Sequence, residues 1–446
     1  MQPRHSRRIF AVLLVAFSST VFFFEADANS QQTAQQLPTV QVAKLTASSG
    51  QSGTFCGTSV AMSGDTVVVG QPFTFVGNGA GAALVFVKPR RGWTNMTQAA
   101  VLVPSDGMYG DYFGGSVAIY GDVVVVGASQ SSPSVEATGP GAAYVFVRPA
   151  GGWAGQQTET AKLIASDGIK GDALGAAVSI RGDSIVAGAP GSSPFTPSEG
   201  AAYVFVKPAS GWMDATQTAK LTPSDAGVGD EFGYAVSIAG QSLVAGSPNN
   251  QGKGAAYIFV EPAGGWKDAT QTAKLTASDG AKNDNLGYSI SIADGAVATG
   301  APFASVDSNQ NEGAAYVFVE PAGGWKNMTQ TAKLTEGDGE GGDLLGASVA
   351  ISGSIIATGA AEYSRGPTLK LGGPAFWREG AVYLFSEPQG GWTTASSKIK
   401  VTGSDAKYDA YLGSSVDLSG TAIVSGSPIL SYFTTYTGAA YVFERP

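Results

Sequence analysis

Paired acids are the residues best placed to do chemistry. A Ser-Asp-Gly-x-x-Gly-Asp loop and its variants join Asp106 with Asp111, Asp167 with Asp172, Asp225 with Asp230, Asp279 with Asp284 and Asp338 with Asp343. Two carboxylates five residues apart in a Gly-rich loop can offer oxygen ligands to a hard cation such as calcium. They can equally accept hydrogen bonds from nearby backbone N–H groups and fix a turn. An acid kept in almost every copy of a loop suits structure better than one active site. Turn chemistry is therefore the expectation, with a ring of weak calcium sites as the alternative. No cofactor and no dedicated metal site is expected.

Much other chemistry is excluded by composition. The only histidine is His5 and the only cysteine is Cys56. His5 lies in an N-terminal segment where Arg4, Arg7 and Arg8 precede an apolar run, Ile9 to Phe24, and then Ala26-Asp27-Ala28. That pattern reads as a secretory signal peptide over residues 1–28, followed by a polar linker over 29–39. The 16-residue run is shorter than the ~20 residues a spanning helix needs. The mature chain then lacks histidine, which excludes Ser-His-Asp and Cys-His catalysis and His-ligated metals. It carries a net charge of −10 once three Arg and two acids leave with the signal. That charge disfavours nucleic acid and anionic membranes as partners. Cys56 aligns with Phe113, Leu174, Phe232, Leu286, Leu345 and Leu412, so it reads as a small buried apolar residue.

Recognition chemistry has more candidates. Asn95-Met96-Thr97 and Asn327-Met328-Thr329 are glycosylation acceptors if the chain passes through a eukaryotic secretory pathway. Arg181-Gly182-Asp183 spells a cell-adhesion tripeptide. Gly-Asp recurs at the same turn in Gly64-Asp65 and Gly121-Asp122, so coincidence is the plainer reading. Aromatic and cationic side chains gather in loops that differ from copy to copy. The candidate ligand-binding set is Phe303, Tyr363, Arg365, Phe376, Trp377, Arg378, Tyr432 and Phe433. Such residues suit a glycan or a protein surface; equally, they can pack on one another over the end of the core.

What positions these residues is a repeat. Ala-Lys-Leu-like openings fall at Ala43, Ala100, Ala161, Ala219, Ala273, Ala332 and, degraded, Ile399, spaced 57, 61, 58, 54, 59 and 67 residues apart. A regular period of this length marks a repeat architecture. Within a copy, Phe113 to Ile119 and Val123 to Ala128 flank a Tyr120-Gly121-Asp122 turn, a hairpin signal. A third run, Ala142 to Val147, follows a variable loop. A Gly-Gly-Trp turn then leads to a fourth run, Thr160 to Ala165. Seven four-stranded antiparallel meanders predict an all-β, seven-bladed propeller over residues 40–446. The last copy stops after its third strand, whereas Val42-Ala43-Lys44-Leu45-Thr46 is a spare fourth strand at the front. Placing that strand on the last blade closes the ring and removes two open edges.

The pairs Phe113-Gly114 with Gly127-Ala128-Ser129, Leu174-Gly175 with Gly188-Ala189-Pro190, Phe232-Gly233 with Gly246-Ser247-Pro248 and Leu286-Gly287 with Gly300-Ala301-Pro302 resemble the FG-GAP repeat. That repeat is found in integrin α-subunit propellers and in many bacterial secreted proteins. The resemblance covers essentially the whole mature chain and implies a seven-bladed propeller. It departs from the integrin type at the hairpin between first and second strands. There the family's calcium loop is Asp-rich, and here it is a tight turn with at most one Asp.

The expected function is a secreted (extracellular or periplasmic), non-catalytic recognition or adhesion module, a monomer that binds protein or glycan on its variable-loop face. An alternative is a carbohydrate-active hydrolase or lyase using loop carboxylates among Glu136, Glu199, Asp307, Glu312, Glu362 and Glu379. Another is a purely structural extracellular scaffold.

Overall fold

The computed structural model describes residues 37, 39–74, 79–129, 139–193, 196–197, 199–362, 378–397, 399–405, 410–429 and 437–445. Residues 37–446 form one compact unit; the signal segment and residues 29–36 and 38 of the polar linker lie outside the described residues, whereas Leu37 is buried in the core.

Seven antiparallel sheets are arranged as the blades of a propeller. The second shows the plan. Ser116–Tyr120 pairs with Val123–Ala128 across the tight turn, which pairs with Ala142–Val147, which pairs with Ala161–Ile164. The third strand, Ala-Ala-Tyr-Val-Phe-Val in several copies, is buried along almost its whole length. It is covered on both faces because blades stack against each other, so it reads as continuous apolar sequence, not as alternation.

Closure follows the sequence expectation. Val40–Thr46 pairs antiparallel with Ala439–Glu444, with Ala43 opposite Val442 and Leu45 opposite Ala440. The seventh blade is thus built from both ends of the chain.

The sheets are not purely four-stranded meanders. The segment after five of the six Gly-Trp turns adds a short parallel strand to the outer edge of the preceding blade, and after Trp266 a single parallel bridge, Leu221 to Ala269, takes its place. Met96–Thr97 lies on Val40–Thr46, Gly155–Gln157 on Ala100–Leu102, Ala215–Thr216 on Ala161–Ile164, Met328–Thr329 on Ala273–Thr276 and Ala395–Ser397 on Ala332–Glu336. These straps cover the open edge that a four-stranded blade would expose. Polar side chains dock them. Asn95, Asp214, Asp268 and Asn327 each accept the N–H of a strand lysine at 2.7–2.8 Å. The two glycosylation-acceptor asparagines are exposed, and this shared acceptor role explains why Asn or Asp recurs there.

Blades meet through paired glycines. A Cβ on Gly127 would lie 1.9 Å from the carbonyl oxygen of Gly175, and one on Gly188 1.9 Å from that of Gly233. The same contact joins Gly70 to Gly114, Gly246 to Gly287, Gly300 to Gly346, Gly359 to Gly413 and, across the closure, Gly426 to Gly57. The Phe-Gly of one blade therefore needs the Gly-Ala-Pro glycine of the blade before it, because only two backbones without side chains can come so close. Tryptophan joins the seam: Trp153 belongs to the buried cluster that combines Ala61, Val85 and Leu102 of the first blade with Phe113 and Tyr144 of the second. Cys56 is fully buried, and burial pushes its thiol up to about 12, as a small apolar wall residue requires.

Candidate functional site

The paired acids divide their labour. The second Asp of each loop caps its own turn: Asp111, Asp172, Asp230, Asp284 and Asp343 each accept the backbone N–H three residues earlier at 2.7–2.9 Å. That part matches the turn-chemistry expectation. The first Asp reaches out of the loop. Asp279 Oδ1 accepts the Tyr316 hydroxyl at 3.1 Å and Oδ2 accepts Lys333 Nζ at 2.6 Å. Lys333 also lies over the Tyr316 ring, 5.6 Å from its centroid. The same Asp–Tyr–Lys triad is built by Asp106, Tyr144 and Lys162; Asp167, Tyr203 and Lys220; Asp225, Tyr257 and Lys274; Asp338, Tyr383 and Lys400; and Asp405, Tyr441 and Lys44. The last takes its lysine from the closing strand.

Partial burial pushes Asp279 up, but the Lys333 contact and the Tyr316 hydroxyl outweigh it and hold the carboxyl below its ordinary range. The other five behave alike; in Asp167 the Lys220 hydrogen bond is the largest influence. Both oxygens of each first Asp therefore have protein partners. Among the described residues no group of three or more His, Cys, Asp or Glu side chains gathers closely enough to hold a metal ion. The first blade lacks the whole triad. Ser49, Leu84 and Val101 stand at its three positions, and Leu84 pairs with Val101 as Tyr316 pairs with Lys333.

Of the candidate ligand-binding residues, Tyr363, Arg365, Phe376, Trp377, Tyr432 and Phe433 lie outside the described residues. The remaining two are placed in separate networks on neighbouring blades. Phe303 is 37% exposed and packs edge-on against Tyr288, which stacks on Tyr234. Arg378 donates to Glu362 at 3.2 Å and to the Tyr411 hydroxyl at 3.0 Å.

The loop face also presents residues that sequence reasoning passed over. Met108, Tyr109, Ile169 and Val228 are more than half exposed, and all lie in blade-to-blade linkers. Phe73 packs between Phe55 and Tyr112, with ring centroids 5.0 and 4.9 Å away. Phe55, Tyr112, Ala173, Glu231, Asn285, Leu344 and Tyr411 occupy one position, just before each innermost strand, and all adopt left-handed backbone. Non-glycine residues seldom do so. The signal was available: this position takes six residue types over seven copies, while the residue two places on is always Gly.

The opposite face carries the short hairpin turns. There the seven innermost strands wall a channel of about 880 Å³. Three acids line it, Asp294, Glu320 and Asp417; of these Asp417 stands at the strand position where the other blades have Ala61, Ala118, Ser179, Ser237, Ser291 and Ala350. Its carboxylate accepts Met62 N–H at 2.7 Å and Leu418 N–H at 2.8 Å. The Ser179, Ser237 and Ser291 hydroxyls do the first of these jobs between other blades. Burial pushes Asp417 up to about 6. On the same face, Arg181 lies over the Tyr120 ring at 4.9 Å and Asp183 pairs with Lys207 at 3.1 Å. Both charged ends of the Arg-Gly-Asp tripeptide are thus engaged within the molecule.

Comparison with known proteins agrees with this architecture. The family model for the FG-GAP repeat matches residues 39–86, 96–146, 157–205, 215–259, 269–318 and 328–385. Each match runs from the outer edge of one blade to the third strand of the next. No curated protein sequence matches significantly. Among solved structures, the chain is similar to the WD40 β-propeller domain of Doa1, with a TM-score of 0.50 and 12% identity, over 93% of this chain and 98% of that one. At that identity the likeness concerns the fold alone.

Proposed function

Because the chain belongs to the FG-GAP repeat family, its propeller serving as a binding or scaffolding module, we propose that it is a secreted, non-catalytic recognition protein. Its ligand is a glycan or protein met on the variable-loop face. The supporting observation is the contrast between the two faces. One presents short, uniform turns. The other presents loops that differ in every blade, with exposed Phe73, Met108, Tyr109, Ile169, Val228 and Phe303. A rigid scaffold with variable, apolar-tipped loops suits recognition. The charged ends of the Arg-Gly-Asp turn are occupied internally, which favours the loop face as the recognition surface.

The test is binding of the chain from residue 29 onward to glycan and cell-surface protein arrays, beside a 363–378 deletion and a Tyr109→Ser, Phe303→Ala pair. Loss of the wild-type signals in these variants is expected. Undiminished binding in all of them overturns the site assignment. Turnover of a polysaccharide by the wild type replaces the reading with a catalytic one.

A further inference from the structure

Beneath the start of the longest variable loop, three carboxylates are buried together: Glu312 at 3% exposure, Glu336 at 5% and Asp343 at 3%. Glu336 is peculiar to this blade, whereas the Glu312 position is also Glu in two other copies, at Glu199 and Glu379. Glu336 stands where the preceding copy has Ala277, and Glu312 where it has Lys253. In that copy the alanine leaves a small cavity of about 50 Å³, lined by Lys253, Asp284 and Tyr316. Here an acid side chain is buried at the equivalent position and the neighbouring cation has become a second acid. Neither oxygen of Glu336 completes a hydrogen bond of good geometry, although the Tyr383 hydroxyl and the Asp343 carboxyl lie close enough to act on it.

The surroundings offer little relief. Glu312 accepts Asn309 Nδ2 at 2.7 Å, and Asp343 accepts the Glu340 N–H at 2.9 Å. The Tyr383 hydroxyl donates to Asp338, to which Lys400 is also bound. Lys333 is committed to Asp279. Asp307 and Glu340 add negative charge around Glu312 and Asp343. The Asp343 carbonyl, in turn, accepts the N–H of Glu362 at 3.2 Å, where the variable loop begins. An unpaired charge buried among like charges is strongly unfavourable, and two such carboxylates relieve it by holding one proton between them.

We propose that Glu336 and Asp343 share one proton, and that this proton keeps the 336–343 linker packed and hydrogen-bonded to Glu362. Burial, reinforced by the Asp343 charge, pushes Glu336 up to about 9. Burial pushes Asp343 up to about 6 and raises Glu312 as well. The sign follows. The packed form of Glu336 binds its proton more tightly than the ordinary value of ~4.3. Packing is therefore fully supported in acid and weakens as pH rises toward 9.

The test is amide hydrogen exchange without ligand, so it stands or fails separately from the binding assignment. Between pH 6.5 and 8.5, protection of residues 336–345 and 360–362 in the wild type should fall about 100-fold, tenfold per pH unit for one proton released on opening. Glu336→Gln keeps a donor and loses the proton, and Glu336→Ala restores the residue of the preceding copy. Each should change less than about threefold over this interval. A wild-type slope no steeper than that of the 277–286 linker overturns the proposal, as does a slope kept by Glu336→Gln. Calcium that protects the wild type but not Glu336→Gln also overturns it, by putting a metal ion in the proton's place.

Discussion

Replacing Tyr316 by Phe isolates the triad. The ring sits in a site 1% exposed and stays there, so the variant loses one hydroxyl and its 3.1 Å hydrogen bond to Asp279. A hydrogen bond to a charged group contributes roughly 1.5–3 kcal/mol. Asp279 is 44% exposed and keeps Lys333, so the loss discounts to about 1 kcal/mol. The repeat amplifies that small number. The same hydroxyl occurs at Tyr144, Tyr203, Tyr257, Tyr383 and Tyr441, one to a blade, so a sixfold Phe variant accumulates about 6 kcal/mol. With ~2.1 cal/mol/K per residue over a propeller of this size, that lowers Tm by about 7 °C. The pH dependence is a second handle. The triad carboxyls sit below their ordinary value when folded. Their stabilisation is present above pH ~4 and lost in more acid solution. The deficit of the sixfold variant, followed by thermal melts monitored by circular dichroism, should narrow from pH 6 to pH 2. A Tm within about 2 °C of wild type at pH 7, or a deficit unchanged at pH 2, refutes the assignment.

Three further outcomes are expected. Gly188→Ala drives a methyl to 1.9 Å from the Gly233 oxygen and should cost more than about 3 kcal/mol. Gly151→Ala, with open space around it, should stay within about 0.5 kcal/mol of wild type; urea midpoints distinguish the two. Leu45→Ala, in the closing strand and 0% exposed, should cost about 3 kcal/mol. Leu221→Ala in an internal blade should cost the same; a much smaller loss at Leu45 means the ring survives without its closing strand. Millimolar calcium should leave Tm unchanged, since the triad carboxylates already have protein partners; a rise of several degrees reinstates the cation sites.

The fold was legible because its signals are repeated. One Phe-Gly or one Gly-Gly-Trp says little, but recurrence at a fixed period fixes the blade, and the complementary truncations at Val42–Thr46 and Phe443 fix the closure. The Gly127–Gly175 contact was present in the motif without its reason, which lies between blades and so in residues about fifty positions apart. The parallel straps were missed because two- and three-residue strands such as Met96–Thr97 carry no periodicity. The triad was misread as a loop property. Asp279, Tyr316 and Lys333 lie in three different runs, and only the cross-strand pairing of Tyr316 with Lys333 brings them together. A clue was visible nonetheless, in the joint absence of all three from Ser49, Leu84 and Val101. Asp417 and Glu336 each stand as one charge in an otherwise apolar or small-residue column, and a column-by-column reading of the copies would have found them.

The closing strand also decides how the molecule bears load. Val40 lies opposite Glu444 in the seventh blade, so the two ends of the propeller leave from one spot on its rim. If the protein is tethered by one end and pulled by the other, tension separates this pair first and then peels the strand away rung by rung, with each hydrogen bond loaded alone. If both ends are held on the same side, the seam carries almost no tension. The ring is mechanically weak in one mode of attachment and strong in the other, although every blade within it is built alike.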